Sequence, residues 1–250
     1  MKGKERITPD FLTAHDACEE GLREFQRVFP DGGEYQAVLD RCVEENRMDF
    51  AQWLLKVCGP SDDVRVFDED IDERGRNIAF AGSLQFKKGV RANMLLAGGS
   101  IEAGRGINAG RDINAGRDIN AGRGINAGCG IEAGWDIKAG LGIKAGCGIE
   151  AGCGIKAGWD IKVGWDIKAG WDIKAGWDIK AGRGINAGYG IEAGCGIKAG
   201  CGIKAGEGYG VFAGLRIKVQ DWSKYAVVTA QSKPDNLISG FWKERDAQCD

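Results

Sequence analysis

The chain has 250 residues, a hydrophobic content of 43% and a formal net charge of −2. This length and composition suffice for a hydrophobic core, and the near-neutral charge gives no strong attraction to nucleic acid. No stretch is apolar for long enough to span a membrane, and the charged residues 1–6 lead into no signal-peptide core. The nine cysteines are an odd number and form no Cys-x-x-Cys motif. We therefore expect a cytoplasmic protein without a membrane partner.

Residues 1–60 predict a small helical module. Thr8-Pro9-Asp10 combines an N-cap residue, a first-turn proline and an acidic residue, which is typical of a helix start. Three further helices are indicated by apolar residues three or four apart, over about 18–29, 34–45 and 49–57. Gly59-Pro60-Ser61 then begins a linker.

Residues 61–100 predict a linker and irregular entry coils that form an N-terminal cap. Ile78, Leu84 and Val90 are six residues apart, and each is followed two residues later by another apolar residue. This spacing introduces a regular repeat that begins at Ile101. The acidic residues between Asp68 and Glu73 are expected in a solvated loop, with a partner-binding patch as the alternative.

Residues 101–206 repeat the six-residue unit Ala-Gly-x-[Gly/Asp]-Ile-[Lys/Asn/Glu]. Ile occupies eighteen positions from Ile101 to Ile203, and Ala follows two residues later at all of them except Val163. Side chains two residues apart lie on the same side of a strand, so Ile and Ala face inward and the residue between them faces water. Glycine after Ala allows a tight corner or a positive φ. The repeat therefore predicts a mainly β fold, a β-solenoid of short stacked strands.

The number of repeats in each coil has two solutions. Three repeats give an 18-residue, three-sided coil, and two repeats give a flatter coil. We favour the three-sided coil because three short strands close around Ile and Ala without an inward residue at the corner. The period leaves the handedness open, and the order of a large Ile before a small Ala favours a right-handed coil.

Residues 207–250 predict a C-terminal cap and tail. The spacing breaks at Glu207, after which Leu215, Ile217 and Val219 alternate as in a strand, and residues 225–228 indicate another. A cap is expected here because a solenoid must cover its exposed strand edges. The segment 236–242 is either a final strand or a docking tail, and Phe241 and Trp242 make it a candidate partner or self-assembly surface.

Two resemblances follow from these motifs. Residues Phe11-Leu12, Ala17-Cys18, Gly21-Leu22, Phe25, Phe29-Pro30, Tyr35 and Leu39 resemble a helical N-terminal module of bacterial and phage repeat proteins. The Ala-Gly-x-Asp-Ile-Lys unit is similar in style to the repeats of bactofilins, which are polymer-forming β-helical proteins. These resemblances imply the architecture and a mobile-element origin, and they carry no catalytic residues.

An enzyme alternative comes from the left-handed β-helix acyltransferases, which the chain resembles in its six-residue period. Those enzymes place a small residue two positions before the aliphatic one, where this chain has Arg, Trp and Cys, and they use a catalytic His beside an inserted loop. The only histidine here is His15 in the helical module, and the repeat has no insertion. We expect no enzymatic activity and no cofactor.

The position two residues before each Ile varies most and supplies the candidate interaction surface. Its arginines and tryptophans are Arg105, Arg111, Arg117, Arg123, Trp159, Trp165, Trp171 and Trp177. With three repeats per coil they form belts around the rod. With two, Trp159 would stack on Trp171 and Trp165 on Trp177, giving short ladders for binding a glycan. Covering neighbouring coils or self-association is the alternative role of these tryptophans.

The cysteines of the repeat predict no metal site. Cys147 with Cys153, and Cys195 with Cys201, are six apart and would lie on different faces of a three-sided coil, without a nearby His. Cys129 and Cys147 are three repeats apart and would stack within disulfide reach, although we expect them reduced. The arginines could contact phosphate, but Asp112 and Asp118 weaken their field, so nucleic acid is disfavoured as a partner.

The leading functional hypothesis is a non-enzymatic, phage- or prophage-encoded interaction rod that binds and inhibits a host protein. The alternatives are a self-assembling structural protein of bactofilin type, which would be a homo-oligomer, and a glycan-binding repeat protein. An interaction rod should be capped at both ends, whereas an assembling rod needs ends that stack.

Overall fold

A computed structural model describes residues 6–245 as a parallel β-solenoid with a small helical module at its N-terminal end. Each repeat strand begins at an Ile and pairs in register with the strand three repeats further along the chain, so Ile119 lies opposite Ile137. The predicted three-sided coil, with three repeats per turn, is confirmed. The two-repeat coil is wrong, because it would pair Ile119 with Ile131.

Each coil contributes one strand to each of three faces. The first face has ten parallel strands: Val64–Phe67, Ser83–Phe86, Ile101–Ala103, Ile119–Ala121, Ile137–Ala139, Ile155–Ala157, Ile173–Ala175, Ile191–Ala193, Val211–Phe212 and Leu237–Ser239. The second face contains Ile107–Ala109, Ile125–Ala127, Ile143–Ala145, Ile161–Val163, Ile179–Ala181, Ile197–Lys198, Val227–Ala230 and Phe241–Glu244. The third face contains Ile113–Ala115, Ile131–Ala133, Ile149–Ala151, Ile167–Ala169, Ile185–Ala187 and Ile203–Lys204.

Two longer strands at the N-terminal end bend from the second face to the third. Val90–Ala97 pairs with the first strand of both faces, at Ile107 and at Ile113. Ile71–Phe80 lies on its other side, with an irregularity between Glu73 and Asn77. The six-residue spacing predicted before the perfect repeat is therefore present in these entry coils.

The interior of the solenoid is a column of branched and small side chains. Every Ile of the repeat is buried, and the residue two positions later is buried in all coils except at Ala109, which is half-buried. Full burial of an Ile side chain contributes about 2–3 kcal/mol. Repetition of this small term along the rod supplies most of its hydrophobic stabilisation.

The glycine after Ala is required by the close approach of neighbouring coils. A Cβ atom on Gly146 would lie 2.0 Å from the carbonyl oxygen of Gly128, one coil earlier, and Gly128 meets Gly110 in the same way. The described glycines with positive φ lie outside the repeat, at Gly32, Gly59, Gly208, Gly214 and Gly240. The expectation of a positive φ at this position is therefore wrong, whereas the tight corner is present.

The aspartates before Ile link one coil to the next. The Oδ1 atom of each accepts a hydrogen bond from a backbone N–H one coil later, as in Asp136 with Gly154 at 2.7 Å. The same bond is made by Asp112, Asp118, Asp160, Asp166, Asp172 and Asp178. These side chains continue the strand ladder through the corner, which is their structural role.

The N-terminal module contains four helices: α1 (Pro9–Ala14), α2 (Glu19–Val28), α3 (Tyr35–Glu44) and α4 (Met48–Cys58). The predicted N-cap is confirmed, since the Thr8 side chain accepts from the N–H of Phe11. A two-stranded antiparallel pair, Arg6–Ile7 with Gly33–Glu34, was not predicted.

The module packs on the outside of the entry coils. The Gln36 side-chain amide donates to the carbonyl of Ala79 at 3.2 Å, and its oxygen accepts from the N–H of Ala81 at 2.9 Å. Leu55 of α4 shares a buried cluster with Leu96, which points outward from the third face. The module thus covers the N-terminal part of the third face and replaces solvent at an apolar patch.

The C-terminal region differs from the prediction in one segment. Residues 215–219 form no strand: a turn follows Gly214, whose φ is 80°, and a 3-10 helix at Val219–Asp221 continues into α5 (Trp222–Tyr225). The indole N–H of Trp222 donates to the carbonyl of Ile217 at 3.1 Å and holds this turn. The predicted strand near residues 225–228 is present as Val227–Ala230, and residues 237–244 add two short strands.

Helices capable of crossing a lipid bilayer are absent from residues 6–245.

Candidate interaction surface

The variable residues of the repeat stack in three columns at the corners of the solenoid. Backbone hydrogen bonds join each member to the one three repeats earlier, as between Trp177 N–H and the carbonyl of Trp159 at 3.1 Å. The first corner holds Arg117, Trp135, Cys153, Trp171 and Tyr189; the second Arg105, Arg123, Leu141, Trp159, Trp177 and Cys195; the third Arg111, Cys129, Cys147, Trp165, Arg183 and Cys201. The candidate arginines and tryptophans are therefore divided among all three corners.

Neighbouring coils cover the aromatic rings of the first and third corners. The guanidinium of Arg117 lies 5.6 Å from the ring centroid of Trp135, and that of Arg183 lies 5.3 Å from Trp165. Trp171 stacks on Tyr189 with centroids 6.3 Å apart, and Tyr189 stacks on Tyr209 at 4.6 Å. These contacts are cation–π and stacking interactions along the rod axis. Trp135, Trp165 and Trp171 nevertheless remain 52% exposed.

The second corner is different. Trp159 and Trp177 are each 56% exposed, and neither has a ring or cation partner within the described part of the chain. The ladders expected from a two-repeat coil, Trp159 with Trp171 and Trp165 with Trp177, are wrong because these pairs occupy different corners. The Trp159–Trp177 edge is thus distinguished by rings without a stacking or cation–π contact in the described residues, and its exposure is only slightly higher than that of the other repeat tryptophans.

The outward strand positions give the three faces different charges. The first face carries Gln85, Glu102, Asn120, Lys138, Lys156, Lys174 and Glu192. The second carries Arg91, Asn108, Asn126, Lys144, Lys162, Lys180 and Lys198. The third carries Leu96, Asn114, Glu132, Glu150, Lys168, Asn186 and Lys204. From Arg91 to Lys198 the second face has no acidic residue at these positions, although Asp72 of the preceding strand lies opposite Arg91.

The second-face lysines are a feature that sequence reasoning missed. Lys162 and Lys180 each contact a corner carboxylate, Asp160 and Asp178, at 2.7 Å. The hydrogen bond that Lys162 donates to Asp160 raises the pKa of Lys162 despite partial desolvation. Partial burial alone would raise the pKa of Asp160. The hydrogen bonds that Asp160 accepts from Lys162 and from the Asp178 N–H together have the larger effect, so the pKa of Asp160 is lowered overall. Both groups are therefore charged at neutral pH.

A groove lies between the helical module and Trp165 on the third face. It encloses about 400 Å³ and is lined by Gln52 of α4, by Asp112, Glu132, Glu150 and Asp166, and by Lys168. Lys56 of α4 reaches Glu132 at 3.5 Å. The helix and the solenoid thus form one acidic concavity, one end of which the module fills.

The two stacked cysteines of the third corner are free thiols. The N–H of Cys147 donates to the carbonyl of Cys129 at 2.9 Å. The pKa of Cys129 is raised, mainly by partial desolvation. The nearby Asp112 carboxylate and the Cys147 thiol raise it further. Cys129 is therefore protonated at neutral pH, and the two cysteines are adjacent at the corner of the solenoid.

At both ends of the solenoid a charged, exposed residue stands in register with the inward positions of the neighbouring coil. Arg65 pairs with the buried Leu84, and its guanidinium lies 4.4 Å from the ring centroid of Phe80. At the other end Glu244 pairs with the buried Ala230. An inward-pointing charge on an edge strand opposes pairing with another strand.

Phe241 and Trp242 also lie at the C-terminal end. Trp242 is half-buried and packs against the core, opposite Val228, so it covers the last coil. Phe241 is 47% exposed and remains on the surface. Of the two candidates, Phe241 presents the larger exposed fraction to a partner.

The acidic segment of the entry coils makes internal ion pairs. Asp68 contacts Lys87 at 3.2 Å, and Asp70 contacts Arg105 at 3.1 Å. Glu69 pairs with Lys88. Arg105 is consequently engaged within the chain and is less available to a partner than its position alone indicates.

His15 lies at the end of α1, where its ring contacts Phe11 with centroids 4.2 Å apart. Its Nδ1 atom is 2.9 Å from the carbonyl of Phe11. Across residues 6–245, no three His, Cys, Asp or Glu side chains form a group able to hold a metal ion.

Comparison with known proteins identifies the helical module alone. Residues 1–58 match the family model of the YdhT N-terminal domain. No curated protein and no solved structure matches the chain. The helical module is therefore similar to a known domain family, and the solenoid is described by its own register and surface.

Proposed function

We propose that the protein is a non-enzymatic, cytoplasmic interaction rod of phage or prophage origin that binds and inhibits a host protein. Its side faces and helical module present the binding surface, and its ends are closed. The proposed origin follows from the resemblance of the helical module and the repeat to those of bacterial and phage repeat proteins.

The charged inward residues at the two ends carry this proposal. In regular coils these positions hold Ile and Ala, which would favour continued stacking of coils. Arg65 at one end and Glu244 at the other replace them, and stacking would bury each charge without an opposite charge beside it. Closed ends favour a rod that binds through its sides.

The alternative of a self-assembling protein of bactofilin type has support from exposed apolar residues at the same ends. Val64 is 58% exposed and Ile238 is 65% exposed. Apolar residues on an edge strand favour association with a second copy. The inward charges oppose this association, and we therefore rank it second.

A pull-down with the tagged full chain from bacterial lysate tests the two functions. Recovery of one host protein near equimolar ratio, lost when excess untagged chain is added, would support the interaction rod. Recovery of bait alone, together with large species in light scattering of the purified chain, would contradict it and favour self-assembly.

A matched variant tests the role of the ends. Replacing the inward charges, R65V with E244V, should produce concentration-dependent association of a chain that is otherwise monomeric or a closed dimer. The control R216V changes an exposed arginine outside the inward positions. If the wild type already forms long assemblies, the end charges do not limit stacking.

A further inference from the structure

The column of lysines on the second face carries unfavourable repulsion in the free protein. Neighbouring parallel strands lie about 4.8 Å apart, so Lys144, Lys162, Lys180 and Lys198 span roughly 14 Å. Like charges directly opposite one another on adjacent strands are destabilising. An anionic partner along the column would relieve this repulsion.

The chain itself neutralises only the middle of the column. Lys162 and Lys180 contact Asp160 and Asp178 at 2.7 Å. Lys144 and Lys198, at the two ends, have no ion pair within residues 6–245, because glycine stands where the paired lysines have aspartate. Two ammonium groups about three coils apart are therefore available to a partner.

The spacing of the column suits an α-helix lying parallel to the rod. Residues three or four apart on one helix face rise by an average of about 5.4 Å per turn, close to the rise of about 4.8 Å per coil. Alternate residues of an extended strand rise by about 6.6 Å and lose register sooner. An acidic helix face of about three turns would match the four lysines.

A helix is already seated on the neighbouring face of the same solenoid. Helix α4 lies over the third face, where Leu55 and Leu96 belong to one buried cluster and Lys56 is 3.5 Å from Glu132. The three faces share the same strand geometry, and the module leaves the second face uncovered. The second face has the same backbone geometry, but it carries Arg91 where the third face has Leu96, so a helix there would be held mainly by charge.

We propose that the second face binds the acidic face of an α-helix in a partner protein. Lys144 and Lys198 pair with its carboxylates, and the exposed Trp159 and Trp177 cover apolar residues beside them. Phosphate polymers fit less well, because they carry a charge at every nucleotide and would also meet Asp160 and Asp178 at the edge of the same face. The carboxylates of a helix can be confined to the turns opposite Lys144 and Lys198. This inference rests on the proposed interaction function and names the surface and the partner's chemistry.

Binding of a synthetic helix tests the proposal with the full-length protein. The probe is a fluorescein-labelled Ala-rich peptide of roughly 18 residues with Glu three and four residues apart along one face. The control is a peptide of the same composition with Glu spread around the helix. Labelled oligothymidylate of equal charge represents nucleic acid, the alternative class of anionic partner. Fluorescence anisotropy at low and high salt gives the affinities.

Two double variants separate this face from general electrostatics. K144Q/K198Q should weaken binding of the one-faced peptide about fivefold, because two charge pairs are lost. K168Q/K204Q removes the same charge from the third face and should leave the affinity unchanged. Equal weakening by both variants, equal affinity for the two peptides, or tighter binding of oligothymidylate would overturn the proposal.

The same variants distinguish the failure of this inference from that of the proposed function. If K144Q/K198Q still captures the host protein of the wild-type pull-down at equal yield, the interaction rod stands and the second face is not its binding site. If the wild type captures no host protein, the interaction function itself fails.

Discussion

The regular repeat and the coils at its ends share one backbone geometry and differ in what they bury. From Ile101 to Ile203 the interior is Ile with Ala or Val, and each coil presents the same surface to the next. At the ends the corresponding positions include Phe86, Arg65 and Trp242. A uniform interior determines the shape of each coil but does not determine where the stack of coils ends. Larger and charged residues close the ends.

The core of the repeat should be the most sensitive part of the molecule. Ile155 is 1% exposed, and I155A should lower the free energy of unfolding by about 4 kcal/mol through lost burial and a cavity. The half-buried Ile71 of the entry coils is the comparison, and I71A should cost less than half as much. Urea unfolding of both variants measures the difference. Equal losses would mean that the end coils are as tightly packed as the repeat.

Coil-to-coil contact at the corner glycine gives the next largest effect. In G146A the new Cβ would meet the Gly128 carbonyl oxygen at 2.0 Å, so the coils must separate, at a cost of about 3 kcal/mol. G75A is the matched control, since a Cβ on Gly75 in the entry coils has no atom within 4 Å. Thermal unfolding should show a large loss for G146A and little change for G75A. A tolerated G146A would show that the coils can separate freely.

Much of the architecture was predictable because a strict period constrains it. The position of Ile and Ala in every repeat predicted the strands, and closure around small side chains favoured three sides. The reason for the glycine was not predictable, because contact between Gly146 and Gly128 appears only when coils are stacked. The short pair Arg6–Ile7 and Gly33–Glu34 is too brief to leave a periodic pattern.

The candidate surface was predictable only in part. The exposed tryptophans were found from their repeat position, but their division among three corners required the coil length. The second-face lysines recur at every third repeat and become visible once that length is known. The alternation of Leu215, Ile217 and Val219 misled because the turn after Gly214 and the Trp222 hydrogen bond override it.

A covalent bond between coils should strengthen the repeat. The free thiols Cys129 and Cys147 occupy adjacent positions in the third corner. Glutathione disulfide would oxidise them to one disulfide while it is reduced to two glutathione thiols. Closing a loop of this size should raise the free energy of unfolding by about 2 kcal/mol, which is less than the value of about 3 kcal/mol expected from the loss of chain entropy alone.

Peptide mapping without reductant measures this bond, and C129S is the control because it leaves Cys147 without its neighbour. The raised pKa of Cys129 slows the reaction, so oxidation should be faster at higher pH. Finding only glutathione adducts, or no rise in the unfolding temperature, would contradict a stabilising disulfide between the two coils.

The smallest expected effect is at the corner carboxylates, whose stabilisation should depend on pH. Although partial burial raises the pKa of Asp160, its bonds from Lys162 and the Asp178 N–H lower it overall. A carboxylate whose pKa is lowered by folding stabilises the protein above its unfolded value, near 3.9. This stability is lost as the pH falls through the folded pKa, by a few tenths of a kcal/mol for such a pair.

The variant D160N isolates this term, because the amide oxygen can still accept from the Asp178 N–H while the ion pair with Lys162 is lost. It should be slightly less stable than the wild type at pH 7 and converge with it in acid, in parallel urea titrations. D62N, which changes an exposed carboxylate of the linker, should follow the wild type throughout. A constant offset between D160N and the wild type at all pH values would assign the role of Asp160 to its backbone bond alone. The link between coils would then be as insensitive to pH as the Ile column inside them.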